Sequence, residues 1–86
     1  MRKQMPYIKN ETRERFEWAF PNPATNAGEL NYLFTRVIND YLSTHELKYT
    51  IINDVVGALE GAKLEFYRRV AVPYEQKKIE ENGDLY

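Results

Sequence analysis

The sequence predicts an all-α protein, a small three-helix bundle with a C-terminal helical arm after Pro73. Three features carry this. Leu30, Leu33, Phe34, Val37, Ile38, Tyr41 and Leu42 form an unbroken apolar stripe at helical spacing. Asn26 and Glu29, just ahead of that stripe, stand as a capping box. Proline and glycine punctuate the chain at Pro21-Asn22-Pro23, Pro73 and Asn82-Gly83.

Residues 1–9 are expected to be extended, with Pro6 holding the residues before it away from helix. Met1-Arg2-Lys3-Gln4 precedes a second methionine, Met5, and reads as an extension from an earlier start codon. Asn10 is a suitable N-cap for a short helix from Glu11 to about Phe20. Its charged residues make a solvated face, and Phe16, Trp18, Ala19 and Phe20 are expected to be its buried side. Pro21 and Pro23 end it.

The second helix starts after Asn26 and is expected to stop near Ser43. Ser43 to Lys48 is the connection. Thr50 is the expected cap of a third helix running to about Val72. At about 100° per residue, Ile52, Val55, Leu59, Ala62, Phe66 and Val70 fall on one side and make the expected core stripe. Pro73 should break or kink this helix, or open the first turn of a new one. Tyr74 to Glu81 has helical composition, and Asn82-Gly83 is a stop.

The 86 residues are expected to form a single domain. A domain this small buries a limited core, and oligomerisation is a common remedy. A net charge of −1 speaks against general nucleic-acid binding. The chain has no cysteine, which removes disulfides, thiolate zinc sites and thiol catalysis. Its one histidine, His45, sits in a connection with no orienting carboxylate. No apolar run is long enough to span a bilayer and no signal-peptide core is present, so a cytoplasmic protein is expected. There are seven tyrosines, a residue suited to interfaces and ligand pockets.

The sharpest anomaly is Gly57 and Gly61 in the middle of the third helix. Each costs about 1 kcal/mol against alanine. They lie on one face with Leu64 and Arg68, opposite the apolar stripe. Something is expected to approach that face closely. Gly57, Gly61 and Leu64 are therefore the expected interface with a second subunit, or the floor of a ligand site, or both. Asn53, Glu60, Lys63, Tyr67 and Arg68 would line the walls. Lys63, Arg68 and Arg69 form a basic cluster flanked by Tyr67 and Tyr74. Arginine grips phosphate in bidentate fashion and tyrosine stacks on a base. The plainer reading is that these cations complement the helix C-terminus. Tyr32 and Arg36, one turn apart on the second helix, could form an interaction patch, although an ordinary solvated face explains them as well. Glu11, Glu14 and Glu17 could hold magnesium only with further carboxylates from another helix. No nucleophile–base pair and no phosphate-binding glycine loop is visible, so an enzyme is not expected.

The segment from Gly57 to Val70, with Pro73-Tyr74-Glu75, Lys78 to Asp84 and Tyr86, resembles the C-terminal half of a family of small uncharacterised proteins from phages and bacteria. Met5-Pro6-Tyr7-Ile8 and Gly28-Glu29-Leu30-Asn31-Tyr32 are similar to further motifs of that family. The resemblance implies a phage or prophage setting. Small all-α proteins of that setting include oligomers that sequester nucleotide signals of host immunity.

The functional expectation is a homo-oligomeric binding protein that sequesters a nucleotide-like anionic ligand, with no cofactor. Lys63, Arg68 and Arg69 would hold phosphates while Tyr67 and Tyr74 stack. The alternatives are a module that binds and inhibits a host protein, and a magnesium-dependent nucleotide hydrolase.

Overall fold

A computed structural model describes residues 8–84 and 86. The chain is all-α, with no strand among the described residues. Its helices are α1 (Asn10–Glu14), α2 (Ala27–Ser43), α3 (Tyr49–Phe66) and α4 (Val72–Asn82). A π-helical turn, Tyr67–Ala71, joins α3 to α4 without a break. The chain divides into two compact units, residues 1–35 and 36–86. The expected extended segment 1–9 falls almost wholly outside the described residues.

In the first unit, α1 is shorter than its sequence predicts. It starts at Asn10, so Lys9 takes the cap position expected of Asn10. Beyond Glu14 the chain continues in tighter turns. Arg15, Phe16, Glu17 and Ala19 each bond the carbonyl three residues back, as in a 3₁₀ turn. Phe16, Trp18 and Phe20, expected to be its buried side, are exposed, Trp18 by 82%. A short helix whose apolar residues gain no packing has little to hold it in α geometry.

The start of α2 follows the expected chemistry. The Glu29 N–H donates to Asn26 Oδ1 at 2.9 Å. The Glu29 carboxylate accepts from the Thr25 N–H and the Thr25 hydroxyl, both at 2.8 Å. The reach-back therefore lands on Thr25, one residue before the cap. These bonds hold the Glu29 carboxyl below its ordinary pKa.

In the second unit, Tyr41 of α2 donates its hydroxyl to Asp54 Oδ2 of α3 at 3.0 Å. The Tyr41 carbonyl closes the end of α2, because His45 Nδ1 and the Thr44 hydroxyl both donate to it. The rings of Tyr41 and His45 stack with centroids 4.1 Å apart. α3 begins at Tyr49, one residue before the expected cap Thr50, with the N–H groups of Ile51 and Ile52 on the Lys48 carbonyl.

Within the second unit the expected core stripe of α3 is not enclosed. Among the described residues the buried one is Ile51, 8% exposed and outside that stripe. Ile52, Leu59, Phe66 and Val70 are exposed, and Val55 is half-buried. Periodicity places these residues on one face but does not supply a covering element.

Pro73 does not end the helical path; it stands in the first turn of α4, the second of the two outcomes expected of it. A proline ring in an α-helix clashes with the carbonyl four residues back, here that of Arg69. Arg69 lies inside the π turn, where the Val72 N–H bonds the Tyr67 carbonyl five residues earlier. The wider turn takes up the crowding, so the arm after Pro73 continues α3 directly. α4 stops where expected. Gly83 has φ of 86°, open to glycine at little cost, and its N–H bonds the Ile79 carbonyl at 2.8 Å.

Candidate functional site

The glycine face of α3 is open. A Cβ placed on Gly57 or Gly61 would meet nothing within 4 Å among the described residues. Leu64, one turn on, is 52% exposed. Asn53, one turn before Gly57, is exposed as well. This strip of bare helix backbone is free to receive another surface.

The basic cluster lies just beyond it and is held by a residue that the sequence reading did not single out. Glu65 Oε1 accepts from Arg68 at 2.7 Å, and Glu65 Oε2 accepts from Arg69 at 2.6 Å. The Arg69 bond first, with the charge of Arg68 added, keeps the Glu65 carboxyl below its ordinary pKa. The signal for Glu65 was present in its spacing, three and four residues before the two arginines. Lys63 stands 3.8 Å from Glu60. The four expected charged residues therefore form carboxylate–cation pairs along the helix surface. Arg68 remains 68% exposed at its side chain, so its pairing is open to exchange with an incoming anion.

The aromatic partners are divided. Tyr67 follows Phe66, their rings edge to face at 6.5 Å. Tyr74 lies past the π turn with Lys78 Nζ 5.6 Å from its ring centre. There it borders an open hollow of about 470 Å³ that also touches Ile79 and Tyr86. None of Lys63, Tyr67, Arg68 or Arg69 borders this hollow. The structure thus brings Arg68 and Arg69 together on Glu65 and places Tyr74 in a separate depression.

The glutamate row does not assemble. α1 stops at Glu14, so Glu17 does not continue it on a helix. Among the described residues no three histidine or carboxylate side chains converge as a metal site would require. Tyr32 and Arg36 lie within α2 as expected. His45 is occupied in closing α2. Among the described residues no helix is long and apolar enough to cross a membrane.

A family model described as a domain of unknown function (DUF6899) matches residues 5–85. No curated protein and no solved structure matches the chain.

Proposed function

The chain belongs to the DUF6899 family of domains of unknown function, and on that premise we propose that it is a small self-associating α-helical binding protein. One observation carries this. The second unit presents a long helix whose apolar stripe is exposed, while the buried residue is Ile51 alone among those described. Soluble proteins seldom leave contiguous apolar surface free unless it meets a partner.

The ligand we propose is nucleotide-like and anionic, sequestered along the far side of the same helix. What supports it is the open backbone at Gly57 and Gly61, with Arg68 and Arg69 beyond it and Tyr67 exposed nearby; Tyr74, in its separate depression, stands apart from this site. Phosphate would displace Glu65 from the arginines. A phage or prophage setting, with a host immune signal as the ligand, is the context we propose for this activity. Titration calorimetry with cyclic and ADP-ribose-derived nucleotides tests it. Heat that disappears in Arg68→Ala/Arg69→Ala supports it, and no heat from any of them, with protein freed of ligand, rejects it.

A second reading is a module that binds and inhibits a host protein. The pairing of both arginines with Glu65 favours it, because one of the two positive charges is then offset and much of the remaining exposed surface is apolar and tyrosine-rich. Specific capture of one host protein, with nucleotides giving no heat, selects this reading over the first.

A further inference from the structure

We propose that a second copy of this chain packs antiparallel along the stripe Ile52, Val55, Leu59, Ala62, Phe66, Val70 and Tyr74. The inference deepens the self-associating part of the proposed function by naming its surface. It is independent of the ligand.

The first five residues alternate in steps of three and four, the spacing of a coiled-coil seam. Continued without change, that alternation would next put Arg69 and Pro73 on the seam. The π turn at Tyr67–Ala71 intervenes. It contains one residue more than an α turn, so the seam moves on by one. Val70 and Tyr74 then take the places that Arg69 and Pro73 would have filled. The irregularity that lets the helix pass Pro73 also keeps its apolar face continuous and leaves Arg69 to Glu65.

The exposed area suits a second copy. Phe66 is 57% exposed and Tyr74 60%. Aromatic side chains of this kind bury about 150–250 Å² each, so each leaves roughly 100 Å² free. Ile52, Leu59 and Val70 are about half exposed, which leaves roughly 50 Å² apiece. A symmetric pair would remove about 700 Å² from these five residues alone. Val56 and the Lys63 stem, beside the seam, carry the total past the roughly 1,000 Å² that a specific interface needs.

Side-chain size selects the direction. A parallel pair would put Phe66 against Phe66 and Ala62 against Ala62, crowding one layer and leaving a void in the next. The antiparallel pair sets Leu59 across from Ala62, Val55 from Phe66 and Ile52 from Val70. Each larger side chain then meets a smaller one, as close packing requires. The contact is two-fold symmetric and closes on itself. It also keeps the Arg68–Arg69 end of one copy away from that of the other.

The chain has no cysteine, so single cysteines report the pairing directly. Full-length Ile52→Cys and Val70→Cys chains are mixed and oxidised at low concentration. The expected result is a mixed-disulfide dimer, with little product from either variant alone. Self-linked Ile52→Cys dimers would mean a parallel pair, and no cross-link would mean that something else covers the seam; either overturns the proposal. Sedimentation adds an independent check. Leu59→Glu should become monomeric while remaining helical, and Leu64→Glu, on the opposite face, should keep the wild-type mass. A dimer that survives Leu59→Glu but not Leu64→Glu would place self-association on the glycine face, leaving the proposed function standing and this surface wrong. A monomeric wild type would reject both.

Discussion

Arg69 donates its Nε hydrogen to Glu65 Oε2 at 2.6 Å, one helical turn apart on α3 and its π extension. The same carboxylate holds Arg68. Any anion reaching this site must compete with Glu65. Glu65→Gln removes the charge and keeps the shape. It is expected to tighten nucleotide binding by about tenfold, the order of one charge-assisted hydrogen bond, as read by calorimetry. Weaker binding in that variant would mean that Glu65 orients the arginines and does not compete for them.

The open space at Gly61 makes a second prediction. A methyl there meets nothing within 4 Å among the described residues, so Gly61→Ala should gain the helix propensity that glycine forgoes, about 1 kcal/mol. For a domain of this size that raises Tm by roughly 4–8 °C. Gly61→Leu should also fold, yet lose ligand if this backbone is the floor of the site. Unchanged binding in Gly61→Leu would show that the glycines are merely tolerated.

Acid should loosen both units. Glu29 and Glu65 have carboxyl pKa values below the ordinary 4.5, Glu29 through its bonds to Thr25 and Glu65 through Arg69. A lowered carboxyl pKa contributes stability that is complete above the ordinary value. That contribution fades as pH falls through the lower folded-state value. Helix content followed by circular dichroism should hold from neutral pH to about 5 and decline below 4. The double variant Glu29→Gln/Glu65→Gln should start lower and show a flatter decline. An equally steep decline would place the acid response elsewhere.

Much of α2 was legible in the sequence, because its determinants are local. Asn26 and Glu29 specify its start, and the stripe from Leu30 to Leu42 specifies its length. The Gly83 stop was legible for the same reason, since a positive φ favours glycine. α1 was misjudged because Phe16, Trp18 and Phe20 read as a packing face, yet exposed aromatics add nothing to a short helix. The α3 stripe was found residue by residue, but periodicity is silent on what lies opposite. The π turn has only Pro73 as a local sign, and Glu65 is marked only by its spacing, three and four residues before the two arginines.

The Tyr41–Asp54 bond gives an alkaline counterpart. The hydrogen bond to Asp54, with burial and the carboxylate charge added, holds the Tyr41 hydroxyl above its ordinary pKa of 10.0. A raised pKa contributes stability that is present below the ordinary value and lost as pH rises through the folded-state one. In a spectrophotometric titration Tyr41 should ionise late among the tyrosines, and the late component should vanish in Tyr41→Phe. Its persistence in that variant would assign it to another tyrosine.

The central claim is that the exposed stripe of the long helix meets another copy of the chain. Sedimentation velocity of the full-length protein, from low to high micromolar concentration, tests it most directly. The predicted result is a species of at least twice the chain mass that dissociates on dilution or on Leu59→Glu substitution. A well-folded monomer across the whole range would contradict the account.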